Sequence, residues 1–169
     1  MASMEKVVSG GQTGVDRAAL AVAMRRGIAH GGWCPRNRRA EDGSVPERFL
    51  LQKTRLEDYA QRTEWNVRDS DATVIFTLSG ELCGGTLLTA NLASDGWGRP
   101  CLHIALGDVS DSSGTVRSSS RNQEDYRSFI AEHEVRILNV AGPRESEEPG
   151  IGAAVESFLL EALIERGER

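Results

Sequence analysis

The stretch VVSGGQTGVDRAALAVAMRRG, at residues 7–27 of the 169-residue chain, decides the fold class. Its opening VVS run is typical of a short buried strand, and a glycine-rich turn follows it. Apolar residues then recur at helical spacing as far as Met24. Arg25 and Arg26 suit the negative end of a helix dipole, and Gly27 can take the left-handed conformation that ends a helix. The stretch predicts a strand, a tight turn and a helix.

The same unit returns in the middle of the chain. The apolar run at 72–77 predicts a central strand, and the turn Gly84-Gly85-Thr86 leads into a helix. Thr54 and Glu57 are spaced as a capping box for a helix at 55–68. Further strands are expected from about residue 28, at 101–106 and at 135–140. Further helices are expected at 122–132 and from Ile151 to near Gly167. Loops are expected at 31–49 and 107–120.

Strands that alternate with helices form right-handed crossovers, which build a mainly parallel sheet with helices on both faces. No repeat, linker or second domain is visible, so we expect one domain over residues 1–169. In this fold class a ligand binds at the carboxyl ends of the strands. The glycine turns at 9–14, 83–86 and 142–144 would all lie on that edge. The sequence therefore predicts an α/β fold with a binding site there.

Composition and charge exclude several classes of function. The formal net charge of -5 argues against a nucleic-acid binder, because such proteins rely on accumulated positive charge. No apolar stretch approaches the roughly 20 residues that span a bilayer. The apolar run near the N-terminus is also too short for a secretory signal. We expect a cytoplasmic protein with neither nucleic acid nor a membrane as its partner.

The cysteines and histidines show no metal-binding pattern. The 3 cysteines stand far apart without a CxxC pair, which disfavours a disulfide framework and a zinc site. Cys34 and Cys83 each stand beside a glycine turn, where a helix dipole can activate a thiol, although small buried thiols are the commoner case. We assign no metal site and no catalytic residue from these patterns.

The first glycine turn supplies five candidate binding residues, Gly10, Gly11, Gln12, Thr13 and Gly14. Its backbone allows close approach of a ligand, and the start of the following helix favours an anion such as phosphate. The turn matches neither GxGxxG nor GxxxxGK[ST]. A structural alternative stays open, in which Thr13 and Asp16 cap the helix.

The second glycine turn adds Gly84, Gly85 and Thr86 as candidates. Its backbone N–H groups would point to the same edge of the sheet, and the Thr86 hydroxyl could either cap the helix or bond a phosphate oxygen. The alternative is a tight connection that needs glycine only for its backbone angles. Two converging turns indicate a phosphate site more specifically than one turn does.

Polar side chains complete the predicted site. Arg39 lies in the loop at 31–49, while Arg62 and Asn66 share one helical face with Tyr59. Arginine binds phosphate with a planar fork of donors, so these residues would contact the ligand's remaining polar groups. A solvated loop and a solvated Arg144 after the third turn are the alternatives.

Several joined motifs are far more specific than any one glycine turn. They cover nearly the whole chain: SGGQTGVDR at 9–17, GGWCP at 31–35, RAEDG at 39–43, YAQRT at 59–63, NV at 66–67, SDAT at 70–73 and GGT at 84–86. In these motifs the chain resembles the bacterial family named putative molybdenum carrier proteins. The resemblance implies a three-layer Rossmann-like fold and a homo-oligomer, either a dimer or a tetramer. It also implies relation to algal proteins that bind the molybdenum cofactor, a pterin that carries a phosphate and a dithiolene-held metal.

The wider superfamily that the chain resembles includes nucleoside-monophosphate phosphoribohydrolases and other nucleotide-binding proteins. Those hydrolases carry a PGGxGTxxE motif whose glutamate belongs to the catalytic apparatus. Here Cys83 replaces the proline, the second glycine before Thr86 is missing, and Thr89 stands in place of the glutamate. The leading hypothesis is therefore a carrier of the molybdenum cofactor or a nucleotide. The alternatives are a hydrolase that uses Glu41, Asp42 or Asp16 as acid or base, and a scaffold without a ligand.

Overall fold

The computed structural model describes residues 3–107 and 120–163. In chain order its elements are β1 (Lys6–Val8), α1 (Val15–Arg25), β2 (Ala29–Gly31), β3 (Trp33–Cys34), β4 (Arg39–Ala40), β5 (Gly43–Ser44), β6 (Gln52–Lys53), α2 (Tyr59–Arg68), β7 (Ala72–Thr77), α3 (Gly84–Asn91), a π-helical turn (Leu92–Gly96), β8 (Cys101–Ala105), α4 (Ser120–Glu132), β9 (Ile137–Ala141) and α5 (Ile151–Ala162).

Among the described residues, the central sheet has 5 strands in the order β2-β1-β9-β7-β8, and every pair is parallel. The late strand β9 lies in the middle, because Leu138 pairs with Val7 of β1 on one side and with Ala72 of β7 on the other. This insertion places the segments that follow β1, β9 and β7 next to one another. The order of strands thus brings the three predicted glycine turns to one edge.

Successive side chains of each strand point to opposite faces of the sheet. Val74 and Phe76 pack in a core with α1 and α5, and the Phe76 ring lies 5.1 Å from that of Phe158. On the opposite face Asn139 donates a hydrogen bond to the Thr73 hydroxyl, and α2 packs against α3. The prediction of a three-layer α/β fold with a parallel sheet is confirmed.

Two local predictions are wrong at the start of α2. The helix begins at Tyr59 because Asp58 caps it and accepts a hydrogen bond from the Gln61 backbone N–H at 3.0 Å. The Thr54 hydroxyl instead bonds the carbonyl of Leu56 at 2.9 Å, so the capping box with Glu57 does not form. Asp58 stands directly before the helix and caps it in place of Thr54, since aspartate is among the best N-cap residues.

The segment at 31–49 is more ordered than a plain loop. β3 pairs in parallel with β6, and β4 pairs with β5 as an antiparallel hairpin. Arg38 organises the chain that follows, because its guanidinium donates to the carbonyls of Val45, Pro46 and Phe49. These side-chain hydrogen bonds have no periodic signature, which explains why the sequence pattern indicated a loop.

The ends of the helices agree with their predicted positions in one case and differ in another. Gly27 ends α1 with φ 63, as the sequence predicts. α5 ends at Ala162, before the expected Gly167, which lies outside the described residues. Most of the loop predicted at 107–120 also lies outside them. No helix within the described ranges has the length and apolar character needed to cross a membrane.

Candidate functional site

A cleft that is open to solvent lies at the carboxyl edge of the sheet. Its walls come from the turns after β1 and β9, from α2 and from the start of α3. The lining residues include Gly10, Gln12, Asp16, Tyr59, Arg62, Asn66, Gly85, Thr86, Asn139, Gly142, Arg144 and Glu147. This is the edge where parallel α/β folds bind their ligands.

A buried ion pair forms the floor of the cleft. Arg62 Nη1 lies 3.0 Å from Asp16 Oδ2, and the Asp16 side chain is only 4% exposed. The Gln12 backbone N–H donates to the same oxygen at 3.1 Å. Burial raises the pKa of the Asp16 carboxyl above its ordinary value, although the Arg62 charge opposes this shift. The floor is therefore a charge-compensated pair held by the first glycine turn.

The glycines of the first turn are required by protein packing. A Cβ on Gly10 would lie 1.7 Å from Arg62 Nη1. Gly11 and Gly14 have φ +79 and +77. A Cβ on Gly11 would lie 2.8 Å from Val45, and a Cβ on Gly14 would lie 2.6 Å from the carbonyl oxygen of Pro143. These glycines let the floor arginine and two neighbouring loops approach the backbone, so the space beside them is already filled.

The glycines of the second turn face open space. Apart from its chain neighbours and the backbone of its own helix, nothing lies within 4 Å of a Cβ built on Gly84 or Gly85. These residues form the first turn of α3, where N–H groups lack a carbonyl in the same helix, and no described residue accepts a hydrogen bond from either of them. The start of α3 therefore presents free donors beside the cleft.

Thr86 closes the start of α3 as a cap. Its hydroxyl donates to the Cys83 carbonyl at 2.6 Å and accepts from the Cys83 backbone N–H at 3.1 Å. The capping alternative for this side chain is thus observed. Thr89, at the position of the hydrolase glutamate, is buried and donates to the Gly85 carbonyl at 2.8 Å. Neither hydroxyl is free at the helix start.

Three guanidinium groups surround the ring of Tyr59. Those of Arg39, Arg62 and Arg144 lie 4.9, 5.6 and 5.5 Å from the ring centroid. Arg144 also pairs with Glu147 at 3.5 Å. Cations within about 6 Å of an aromatic face are held by its quadrupole. The structure thus gathers three arginines from distant segments of the sequence around one ring in the wall of the cleft.

The β4–β5 hairpin is tied to the first glycine turn by its acidic residues. Glu41 accepts hydrogen bonds from the hydroxyls of Ser146 and Thr13, and the Ser146 bond is the main reason that its pKa lies below the ordinary value. Asp42 accepts from Arg17 at 2.7 Å, which lowers the pKa of Asp42. Glu41 and Asp42 are therefore fixed as anions outside the cleft.

Asn66 lies in the wall of the cleft with both ends of its amide engaged. Its nitrogen donates to the Trp33 carbonyl at 3.0 Å, and its oxygen accepts from the Trp33 backbone N–H at 2.8 Å. Gln12 shows a different arrangement. Its oxygen accepts from two backbone N–H groups, while its buried nitrogen has no hydrogen-bond partner.

The structure brings most of the predicted binding residues to one place. Six of them line the cleft: Gly10, Gln12, Arg62, Asn66, Gly85 and Thr86. Five others lie outside its lining, in the same turns or in the hairpin: Gly11, Thr13, Gly14, Arg39 and Gly84. The sequence did not indicate Asn139 or Glu147 as cleft residues. Asn139 had a detectable signal, because it is a polar residue inside the apolar run ILNVA.

The cysteines lie apart from one another. Cys34 is buried, Cys101 is partly buried and Cys83 is exposed, and all three are free thiols. Burial raises the pKa of Cys101 to about 11. Within 3–107 and 120–163, no three histidine, cysteine or acidic side chains are arranged to hold a metal ion.

Comparison with known proteins places the chain in a family. A crystal structure named "Putative molybdenum carrier protein", from Syntrophus aciditrophicus SB, is 40% identical, with a TM-score of 0.84 over 95% of both chains. No curated protein matches the chain significantly. The family model for the circularly permutated YpsA SLOG family matches residues 7–163. The chain belongs to the circularly permutated YpsA SLOG family.

Proposed function

We propose that the chain is a carrier that binds a phosphate-bearing small molecule in the cleft at the carboxyl edge of the sheet. The observation that carries this proposal is the open start of α3, where the N–H groups of Gly84 and Gly85 have no acceptor among the described residues and a Cβ built on either glycine would enter open space. A helix start of this kind binds anions through its N–H groups and its dipole. The phosphate would lie there, against Gly85.

The arginines beside Tyr59 support the same ligand class. Arg144 lines the cleft, and Arg39 lies over the ring of Tyr59, which forms part of the same wall. Positive charge at an entrance raises the local concentration of anions and their rate of association. The chain as a whole has a net charge of -5, so this attraction is local.

We propose the molybdenum cofactor or a nucleotide as the ligand. The name of the related crystal structure, a putative molybdenum carrier, favours the first. Both ligands join a phosphate to a heterocyclic ring system, which fits a cleft with the proposed phosphate site at one wall and the Tyr59 ring at another. None of the described residues that line the cleft is a cysteine or histidine, so this chain would hold the organic part of the cofactor.

We also propose that the protein forms a homo-oligomer in the cytoplasm. Its three cysteines are unpaired thiols, as expected in a reducing compartment. Apolar side chains are exposed on α3 and the π-helical turn, with Leu87 at 44% and Trp97 at 41% exposure. If this surface joins copies, Leu87→Glu gives smaller particles in light scattering, whereas Leu50→Glu, on a different exposed leucine, leaves their size unchanged.

A hydrolase is the second candidate, and one observation favours it. Asp16 is the only one of the three acid or base candidates that lines the cleft within the described residues, and burial raises its pKa. A carboxyl with a raised pKa is suited to proton transfer. Its pairing with Arg62 and the threonine at position 89 favour the carrier instead.

The test measures binding and turnover together. Titration calorimetry with the molybdenum cofactor and with nucleoside monophosphates is run on the native chain and on Gly85→Asp, which places a negative charge in the proposed phosphate site. Gly98→Asp is the matched control, because Gly98 also faces open space, has φ +57, which aspartate tolerates, and lies outside the cleft lining.

The carrier proposal expects ligand to bind the native chain and the control, to bind Gly85→Asp at least about tenfold more weakly, and to be recovered intact. Recovery of free base and ribose phosphate by mass spectrometry would establish the hydrolase. Equal binding by Gly85→Asp and the native chain would overturn the proposed phosphate site. Absence of binding by any of these ligands would favour a scaffold.

A further inference from the structure

Gln12 is fixed on the floor of the cleft in one orientation. Its side-chain oxygen accepts from the backbone N–H groups of Thr13 at 3.1 Å and Glu41 at 2.9 Å. A rotated amide would place its NH2 group against these two donors, so the network assigns the nitrogen to the other side. The residue is 6% exposed, and that nitrogen has no partner in the described structure.

An unpaired amide nitrogen in a buried position is costly, because it has lost water without gaining an acceptor. The cost is removed when a ligand supplies an acceptor. Arg62, which also lines the cleft, leaves its Nε unpaired and buried as well. The free hydrogen-bonding groups on this part of the floor are thus both donors.

The charge of the floor decides what kind of acceptor fits. Arg62 is already paired with Asp16 at 3.0 Å, so the floor carries little net positive charge. A phosphate dianion placed there would approach the Asp16 carboxylate. The start of α3 has free N–H groups without such a carboxylate among its contacts. The phosphate therefore suits α3, and a neutral oxygen suits the floor.

We propose that the Gln12 amide nitrogen donates to an oxo group on the ligand's heterocycle, so that the cleft selects phosphates of oxo-substituted rings over those of amino-substituted rings. This inference rests on the proposed function, and it assigns the ring end of the ligand to the floor. A 6-oxopurine and a pterin both present such an oxygen. An amino group at the same position would direct N–H against the fixed N–H of Gln12.

The probes are inosine monophosphate and adenosine monophosphate, which carry an oxo and an amino group at the same ring position. Titration calorimetry on the native chain is expected to show about tenfold or greater preference for inosine monophosphate. Gln12→Glu keeps an oxygen for the N–H groups of Thr13 and Glu41 and replaces the donor by an acceptor. It is expected to lose or reverse the preference.

Gln123→Glu is the control, since Gln123 is also buried but donates to the Phe158 carbonyl, away from the cleft. Its preference should equal that of the native chain. Equal affinity of the native chain for both nucleotides overturns the inference and leaves the proposed function standing, even if Gln12→Glu does not fold.

If only the molybdenum cofactor binds, its affinity must fall in Gln12→Glu, and an unchanged affinity overturns the inference. If neither the nucleotides nor the cofactor bind, the proposed function itself fails, and the inference fails with it.

Discussion

Arg62 and Asp16 form a 3.0 Å ion pair on the floor of the cleft, with side-chain exposures of 16% and 4%. The pair is possible because Gly10 has no side chain, since a Cβ there would overlap the Arg62 guanidinium. One glycine, one acid and one arginine from three separate segments thus form a single unit. All three residues of the unit line the cleft.

Replacement of Arg62 by methionine should destabilise the protein by about 3 kcal/mol at neutral pH, because it leaves the Asp16 carboxylate buried without its partner. The raised pKa of Asp16 makes this loss dependent on pH. As the pH falls, Asp16 in the variant takes up a proton and the loss becomes smaller. Urea unfolding of the native chain and of Arg62→Met at pH 7 and pH 5 measures this loss of stability.

The double variant Arg62→Met with Asp16→Asn is the control for this prediction. Asparagine carries no charge, so the double variant should be more stable than Arg62→Met at pH 7 and should show little change with pH. A loss for Arg62→Met that is the same at both pH values would contradict the role assigned to the buried carboxylate.

Alanine at Gly11 and at Gly85 should have opposite effects. Gly11→Ala forces a side chain into φ +79, where its Cβ would lie 2.8 Å from Leu51 and Val45, so we expect a loss of about 2 kcal/mol or more. Gly85→Ala adds a methyl group in open space at a helical position, where alanine is favoured by roughly 0.5 to 1 kcal/mol. Thermal unfolding of both variants measures the difference.

Ligand binding by the same two variants separates packing from recognition. Gly85→Ala should fold normally and bind the nucleotide or cofactor more weakly, because its methyl group enters the proposed phosphate site. A stable Gly11→Ala, or a Gly85→Ala that unfolds easily, would show that the two turns have been assigned the wrong roles.

Glu41 should make stability depend on pH in the acid range. Its hydrogen bonds from Ser146 and Thr13 hold its folded-state pKa below the ordinary 4.5. The group therefore stabilises the fold fully above about pH 4.5, and this contribution is lost as the pH falls through the lowered pKa. Glu41→Gln should be less stable than the native chain at pH 6, and the difference should shrink as the pH falls below 4.5.

Denaturant titrations of both proteins from pH 3 to pH 7 measure this difference. Asp71→Asn tests whether the effect belongs to Glu41, because Asp71 accepts backbone N–H bonds from Arg136 and Ile137 away from the hairpin. A constant gap between Glu41→Gln and the native chain at every pH would refute the prediction.

The three thiols should react at different rates in the folded protein. Cys83 is exposed, whereas Cys34 is buried and burial raises its pKa, and the pKa of Cys101 is raised to about 11. A thiol reagent reacts with the thiolate, so Cys83 should react first. Mass spectrometry after brief treatment with a maleimide is expected to find one modified site, and Cys83→Ser should remove it. Rapid modification of Cys34 would show that its surroundings open.

The sequence predicted the elements whose causes are local. The buried run at 72–77 and the glycine stop at Gly27 appear where they were expected, because apolar runs and glycine caps act over a few residues. The start of α2 was missed because Thr54 and Asp58 were competing caps at similar spacing, and only Asp58 reaches a helix N–H. The hairpin at 39–44 was missed because its hydrogen bonds run to α1 and to the loop after β9.

By itself the sequence determined the parallel α/β class and the edge of the sheet where the cleft lies, since strand, turn and helix follow one another within short stretches. Only the tertiary structure decided which glycines have open space beside the backbone. The space beside Gly10, Gly11 and Gly14 is filled by Arg62, by Val45 and by the chain from Pro143 onward, respectively. The space beside Gly84 and Gly85 is open. The physical reason is that the free space beside a backbone depends on residues far away in the chain. The spacing of the glycines in the sequence carries no information about those residues.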